Sequence, residues 1–248
     1  MMKSTSVEIV AHMGIPADYP ENTLPSLIAA AKLPVYGVEF DVHLTADGKP
    51  VVTHDDTVER CSDGQGRIRN MTLRELRTLD FGGWKAPRFA GTPIPTLAEA
   101  VDAILSAAPE RRMLIEVKED DPECARAVLE FAVERGIIGQ SMLTSFSAAI
   151  LRLLRREGPP ELRLHGSDSG DNLREEEGRR LIDSVGIHFP LVTPERVESY
   201  HRRGIRVDAW VIDSLSELRR AVACGADGIT TNAADRIIRE LEKEGNQA

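Results

Sequence analysis

Short apolar runs rich in β-branched residues alternate with helical patterns along almost the whole chain. Eight of these runs have the length and composition of buried strands. They are Val7 to Ala11, Val35 to Val42, Met113 to Val117, Met142 to Thr144, Leu162 to Leu164, Val185 to Ile187, Val207 to Ile212 and Gly228 to Thr230. Regular alternation of strand and helix predicts an α/β fold with a parallel sheet, and eight units favour closure into a (β/α)₈ barrel, or TIM barrel.

A doubly wound open sheet is the alternative architecture for such a chain. It is less favoured, because no Gly-x-Gly-x-x-Gly motif follows the first strand and because eight units suit a closed barrel better. The length of 248 residues lies within the range of single α/β barrels. We therefore predict one barrel domain over residues 1–248.

The interval between Asp41 and Met113 is longer than one loop and one helix require. It contains a predicted strand (Pro50 to Thr53), a turn (Ser62 to Gly66), a helix (Leu73 to Leu79) and an irregular segment (Phe81 to Pro95). We interpret residues 55–95 as a small subdomain inserted after the second barrel strand.

The charge balance limits the classes of partner. With 40 acidic and 31 basic side chains the net charge is −9, which argues against a nucleic-acid binder that neutralises phosphates. The three cysteines show no paired spacing, as expected in a reducing compartment. No segment resembles a signal peptide or a membrane span. We expect a cytoplasmic protein with no stable membrane anchor, and the number of chains in the assembly stays open, a homo-oligomer included.

Three acidic residues lie inside or at the ends of predicted strands. Glu39 and Asp41 are two residues apart in "VEFDV", so a strand would place both on one face. Glu116 and Lys118 have the same spacing in "LIEVK". Buried carboxylates require a partner, and an all-oxygen ligand set suits Mg²⁺ or Ca²⁺ better than Zn²⁺. Salt bridges to Lys118 or to arginines are the alternative explanation.

Two histidines end apolar runs near these acids. His12 follows the first strand, and His54 follows the short strand in "VVTHDD". A single such histidine is more often structural than catalytic. As a pair with ordinary pKa values of about 6.5, they can supply one general base and one general acid. His43 alternates with Asp41 and is a candidate supporting residue.

Several sequence blocks resemble the glycerophosphodiester phosphodiesterases, a family of (β/α)₈ barrel enzymes. The blocks are the His-x-Gly start with "PENT", "VEFDVHLTADGKPVVTHDDTVER", "GQG", "LRELRTLDFGGW", "IPTLAEAV", "LIEVK", "TSF", "VDAWVID" and "GADGITTN". The resemblance covers nearly the whole chain. It implies hydrolysis of glycerophosphodiesters to glycerol 3-phosphate and an alcohol, with one divalent cation: Mg²⁺ or Ca²⁺, with Mn²⁺ as a further candidate.

The resemblance also implies roles for individual residues. His12 and His54 would be the acid–base pair, and Lys118 would contact the phosphate. The cation ligands would be Glu39, Asp41 and Glu116. Trp210 would stack on the substrate at the barrel mouth, with simple core packing as the alternative.

Two positions depart from the family pattern. Met13, a substrate-binding position by this resemblance, stands where the family usually has an arginine that touches the phosphate, and Asn232 stands where it usually has an aspartate. Met13 motivates two alternatives: activity on a bulkier, lysophospholipid-like diester, or a catalytically idle barrel that binds phosphodiesters. An apolar entrance for a lipid could come from Met71, Leu73, Phe81, Trp84 and Phe89.

Overall fold

A computed structural model describes residues 7–118, 120–170, 172–173 and 181–245. Its strands are β1 (Glu8–Ala11), β2 (Gly37–Leu44), β3 (Pro50–Val52), β4 (Arg112–Val117), β5 (Ser141–Ser145), β6 (Arg163–Asp168), β7 (Ser184–His188), β8 (Arg206–Trp210) and β9 (Gly228–Thr231). Its α-helices are α1 (Leu24–Ala31), α2 (Leu73–Leu76), α3 (Leu97–Ala107), α4 (Pro122–Glu134), α5 (Ala148–Glu157), α6 (Pro194–His201), α7 (Leu215–Ala223) and α8 (Ala234–Gly245).

Every strand except β3 belongs to one closed parallel barrel. The strands pair in the order β1, β2, β4, β5, β6, β7, β8, β9, and β9 pairs back with β1. The predicted TIM barrel is therefore confirmed. The predicted strand from Val207 to Ile212 ends earlier, at Trp210, so Ile212 lies outside the strand that carries Asp208 and Trp210.

Strand residues alternate between the helix layer and the barrel interior. On β2, Val38, Phe40 and Val42 are fully buried in the apolar core that the strands share with the surrounding helices. Their neighbours Glu39 and Asp41 point the other way, because successive side chains of a strand face opposite sides. The barrel interior near the strand ends is therefore polar, which is where sites are built in this fold.

The helices begin at residues suited to cap them. At α3, the Thr96 hydroxyl accepts the Glu99 N–H, and the Glu99 carboxylate accepts the Thr96 N–H. At α4 and α6, Pro122 and Pro194 occupy first-turn positions where no N–H is required. No described helix is long and apolar enough to cross a membrane.

The long interval after β2 begins with a hairpin. Strand β3 pairs antiparallel with the end of β2, with Val52 opposite Val42. Helix α2 is shorter than predicted. After it, the backbone N–H groups of Thr78 and Leu79 donate to the carbonyl oxygens three residues earlier, those of Glu75 and Leu76, and not four residues earlier as in an α-helix. A separate apolar cluster fills this region, formed by Val51, Val58, Cys61, Ile68, Leu76, Phe81 and Ile94. The inserted subdomain over residues 55–95 stays a prediction.

Candidate active site

A cavity of about 220 Å³ lies among residues at the C-terminal ends of the barrel strands. Its lining residues are His12, Glu39, His54, Leu114, Glu116, Lys118, Thr144, Phe146, His165, Ser167, Asp208, Trp210, Val211 and Thr230. The cavity thus brings together both predicted histidines, two of the three predicted acids, the lysine and the tryptophan. Asp41 and Met13 are not among these lining residues.

The three acids converge because β2 and β4 are neighbours in register. Asp41 pairs directly with Glu116 across the two strands, and Glu39 lies two residues earlier on the same face of β2. One carboxylate oxygen from each of the three lies within 4.8 Å of the others, and all three side chains are buried. The strand spacing in the sequence predicted this convergence.

The electrostatics of this cluster favour a bound cation. Burial and the neighbouring Asp41 carboxylate raise the pKa of Glu39 well above its ordinary value, and the same two causes raise the pKa of Glu116 to about 7. Among the described residues, no hydrogen-bond partner is present for Oε1 of Glu39. A buried oxygen without a partner, beside mutually repelling carboxylates, fits a hard divalent cation such as Mg²⁺ or Ca²⁺.

The alternative explanation, salt bridges to the buried acids, holds in part, because Lys118 pairs with two of the three. Its ammonium lies 2.8 Å from Oε1 of Glu116 and 3.4 Å from Oδ1 of Asp41. Burial opposes the charge on Lys118, yet the two carboxylates hold its pKa above the ordinary value. Burial would likewise raise the pKa of Asp41, but Lys118 and the two histidines hold it below the ordinary value. One ammonium against three carboxylates still leaves the cluster short of positive charge.

Asn22, in the "PENT" block, supports the acid cluster and was not among the predicted site residues. Its Nδ2 donates to Oδ2 of Asp41 at 2.7 Å, and its Oδ1 accepts the backbone N–H of Asp41 at 3.2 Å. Asn22 adopts a left-handed conformation with φ of 55°, which asparagine tolerates better than most residues. The "PENT" motif was the available signal. The cap position of α1 is the next residue, Thr23.

His12 is held from behind by an amide. Its Nδ1 lies 2.8 Å from Oδ1 of Asn232, and its Nε2 lies 3.9 Å from Oε2 of Glu39. Burial lowers the pKa of His12. The chain then turns at Gly14, where a Cβ would collide with Ser26, and this close approach explains the His-x-Gly pattern.

His54 has a charged partner instead. Its Nδ1 lies 2.7 Å from Oδ1 of Asp55, and Arg60 binds the other oxygen of that carboxylate. The hydrogen bond from Arg60 lowers the pKa of Asp55 to about 2, so Asp55 is ionised at neutral pH. Arg60 also binds Glu21 through two hydrogen bonds, which ties this loop to the "PENT" block. His43, the predicted supporting residue, approaches the His54 carbonyl oxygen at 3.1 Å through Nε2.

Trp210 forms an aromatic wall of the cavity. Its Nε1 donates to the carbonyl of Gly186 at 2.9 Å, and the Phe146 ring meets it edge-on at 5.4 Å between centroids. His188 packs against the same indole at 4.8 Å. A Cβ on Gly186 would lie 2.9 Å from both Trp210 and His165, so only glycine leaves the indole in this position.

Met13 reaches the site through its backbone. Its N–H donates to Oε2 of Glu39 at 2.9 Å, while its side chain is buried at 8% exposure. The residue adopts φ of 49°, which is uncommon outside glycine and asparagine. Position 13 therefore helps to hold an acid of the cluster, whichever side chain it carries.

His165 lines the cavity and was not among the predicted site residues. Its Nδ1 lies at 2.9 Å from the Ser184 hydroxyl, and its Nε2 lies at 3.8 Å from Asp208. His165 and Ser167 are two residues apart on β6 and therefore face the same side, and this spacing was the available signal in the sequence. His165 and Asp208 also line a second cavity of about 240 Å³ towards the N-terminal end of the barrel, which neither His12 nor the three acids border.

Comparison with known proteins reveals the family. Residues 12–236 match the sequence profile of the glycerophosphoryl diester phosphodiesterase family. The chain is 30% identical over 247 residues to the glycerophosphodiester phosphodiesterase of Caldanaerobacter subterraneus subsp. tengcongensis, across 96% of this chain and 98% of that protein. It is 33% identical over 244 residues to glycerophosphodiester phosphodiesterase 1 of Homo sapiens, across 85% of this chain and 73% of that protein.

Solved structures agree with this match. A phosphodiesterase from Oleispira antarctica, in complex with the product sn-glycerol-3-phosphate, is similar with a TM-score of 0.87 and 28% identity, over 95% of this chain and 96% of that chain. A glycerophosphodiester phosphodiesterase from Agrobacterium tumefaciens is similar with a TM-score of 0.77 and 26% identity, over 92% and 97% of the two chains. The resemblance seen in the sequence is thus confirmed, and the chain belongs to the glycerophosphoryl diester phosphodiesterase family.

Proposed function

We propose that this protein hydrolyses glycerophosphodiesters to glycerol 3-phosphate and an alcohol, with a divalent cation bound by Glu39, Asp41 and Glu116. The observation that carries the proposal is the convergence of these buried carboxylates with His12 and His54 around one cavity. Membership of the family supports it, as does the bound product of the Oleispira antarctica relative. Mg²⁺ and Ca²⁺ suit the all-oxygen ligand set, and Mn²⁺ is a third candidate.

The side chains around the cavity suit a phosphoryl transfer. When bound, a divalent cation offsets negative charge on the phosphoryl oxygens. Lys118, whose ammonium lies beside the acids, would contact the same oxygens. Trp210 and Phe146 would pack against the organic part of the substrate.

We assign the two proton transfers by the partners of the histidines. His12 has a neutral amide behind it, so it accepts the proton of the attacking oxygen, that of water or of the neighbouring glycerol hydroxyl. A bond forms between that oxygen and phosphorus, and the bond from phosphorus to the alcohol oxygen breaks. Attack by water gives glycerol 3-phosphate directly, whereas attack by the glycerol hydroxyl gives a cyclic phosphate that water then opens to glycerol 3-phosphate. His54 has the Asp55 carboxylate behind it, which offsets the charge of an imidazolium, so His54 donates a proton to the leaving alcohol.

The residues predicted to form an apolar entrance for a lipid-like diester do not line the cavity. Phe81 and Phe89 are buried, and Phe89 packs against the Tyr19 ring at 5.5 Å between centroids. Met71 and Leu73 pack against the apolar cluster of the β3–α3 interval, and Trp84 is exposed. None of these five side chains lines the cavity.

The test is release of glycerol 3-phosphate from glycerophosphocholine, glycerophosphoethanolamine and glycerophosphoglycerol by the purified protein. Reactions contain Mg²⁺, Ca²⁺, Mn²⁺ or a chelator, and an acylated lysophospholipid is compared with the short diesters. Glu39→Gln removes one cation ligand, and Glu110→Gln, an exposed acid near the start of β4, is the matched control.

We expect release that needs a cation, that Glu39→Gln abolishes and that Glu110→Gln leaves intact. Faster turnover of the acylated diester would support the lipid alternative. Persistent binding of a diester without turnover, by folded protein with each cation, would support the idle barrel and overturn the proposal.

A further inference from the structure

A series of hydrogen bonds connects Asp213 to His12. Oδ1 of Asp213 accepts the backbone N–H of Asn232 at 2.8 Å and the hydroxyl of Thr231 at 3.0 Å, and Oδ2 accepts Nδ2–H of Asn232 at 2.9 Å. At the other end of the same amide, Oδ1 of Asn232 lies 2.8 Å from Nδ1 of His12. Asp213 does not line the cavity and reaches the site through Asn232.

These contacts determine which way the Asn232 amide faces. An ionised carboxylate has no proton to donate, so the amide nitrogen must face Asp213 and the amide oxygen must face His12. A carbonyl oxygen only accepts, and Nδ1 of His12 therefore carries the proton. In the neutral ring the lone pair is then on Nε2, the atom nearest Glu39.

We propose that Asp213 is a positioning residue for His12. By orienting the Asn232 amide, Asp213 holds His12 in the tautomer that has its proton on Nδ1 and its acceptor atom Nε2 towards the acid cluster. The use of Nε2 as a catalytic proton acceptor rests on the proposed function, whereas the tautomer follows from the hydrogen bonds alone.

The arrangement separates two effects that one carboxylate would combine. An aspartate at position 232 would orient His12 and would also favour its charged form, because an opposite charge stabilises an imidazolium. Here a neutral amide orients the ring, and the charge of Asp213 is one side chain further away.

The test measures the tautomer directly, by ¹⁵N chemical shifts of the ring nitrogens in protein labelled with ¹⁵N-histidine. His12→Gln identifies the His12 signals among those of the six histidines. Wild-type protein should show a protonated Nδ1 and an unprotonated Nε2 at neutral to mildly alkaline pH. Asp213→Asn should let the Asn232 amide turn, because an asparagine at position 213 both donates and accepts. The other tautomer should then appear, and kcat should fall about 10- to 100-fold with little change in KM.

A double variant keeps the test decisive if Asp213→Asn also loosens the fold. Asp213→Asn with Asn232→Asp returns a carboxylate that accepts from Nδ1 of His12 and from the new amide at position 213. It should restore the Nδ1–H tautomer and raise kcat above that of Asp213→Asn. Thr231→Val is the matched control, because it removes another contact of Asp213 and leaves the Asn232 amide in place, so the tautomer should persist.

The proposal is overturned if folded Asp213→Asn protein keeps the wild-type tautomer. It is also overturned if the double variant is no better than Asp213→Asn alone. Because the shifts are measured without substrate, they give an answer even if the protein hydrolyses no glycerophosphodiester, and the two failures are distinguishable.

Discussion

Asn22 holds Asp41 at two atoms, because its amide group bonds both the carboxylate and the backbone N–H of the acid. As a proposed cation ligand, Asp41 would lose little freedom on binding because it is fixed in this way. We expect Asn22→Ala to weaken Mg²⁺ binding about 10- to 100-fold, the usual effect of removing a group that orients a ligand. Calorimetric titration measures it, with Asn70→Ala, an exposed asparagine, as the control. Equal affinities in the two folded variants would contradict the role of Asn22.

Cation binding should stabilise the fold, because the cluster of Glu39, Asp41 and Glu116 is assembled only in the folded chain. At one hundred times the dissociation constant, binding adds about 2.7 kcal/mol to the free energy of unfolding, and this corresponds to a rise of about 5–10 °C in Tm. Asp41→Asn should lose this response to Mg²⁺. A scan that shows the same shift in wild-type and Asp41→Asn protein would place the cation elsewhere.

Met13→Arg should raise kcat/KM on glycerophosphodiesters, because it returns a positively charged side chain to the position where the family usually has an arginine. A charge-assisted hydrogen bond contributes about 1.5–3 kcal/mol, or a factor of about 10–150 in rate. Met13→Gln, which is similar in length and uncharged, separates charge from shape. Equal kcat/KM values for the two variants, or a lower value with arginine, would mean that another group has replaced the positive charge of the family's usual arginine.

Gly186→Ala should displace Trp210 and raise KM, because the new methyl group would lie 2.9 Å from both the indole and the His165 ring. The close packing should also lower Tm, since both neighbours lie on packed strands. Gly139→Ala is the control, because no atom of the described residues, apart from its chain neighbours, lies within 4 Å of the corresponding Cβ. Steady-state kinetics and thermal unfolding of both variants measure the effect. If KM is unchanged in Gly186→Ala, Trp210 takes no part in substrate binding.

Arg60→Met should lower stability in a way that depends on pH. Arg60 holds the pKa of Asp55 at about 2 in the folded chain, below its ordinary value of 3.8. A carboxyl with a depressed pKa stabilises the fold above pH 3.8, and this contribution is lost as the pH falls through 2. The gap between wild type and variant in urea unfolding should therefore be full at pH 6 and shrink between about pH 4 and 2.

Arg67→Met is the control for that measurement, since Arg67 pairs with Asp56 at the exposed surface. Exposed pairs contribute little, so its gap should be small at every pH. A gap for Arg60→Met that stays constant down to pH 2 would assign the effect of Arg60 to packing or to Glu21, and not to Asp55.

The predictable part of the site is the part set by strand periodicity. Glu39 and Asp41 could be placed on one face of their strand, and Glu116 and Lys118 on one face of another, because a strand repeats every two residues. Asn22, Asp213 and the His12–Asn232 contact could not, because they depend on loop conformations that bring residues as much as 220 positions apart into contact. Loops have no period from which such contacts follow.

The same limit applies to the Phe81 to Pro95 segment. Its aromatic residues were assigned to a cavity entrance by composition alone, since no pattern there indicates which side chains face inwards. The structure buries Phe81 in the apolar cluster and packs Phe89 against Tyr19. Hydrophobic residues without periodicity predict burial but not the neighbours against which they are buried.

Strand β2 has a consequence for how this protein can change in evolution. It carries Glu39 and Asp41, and its hairpin with β3 brings His54 to the same cavity. Inserting or deleting one residue in β2 ahead of Glu39 would turn both acids from the barrel interior to the helix layer together. Both acids are therefore gained or lost in one step. Changes in chain length should be tolerated between Arg60 and α3, and not between Gly37 and His54.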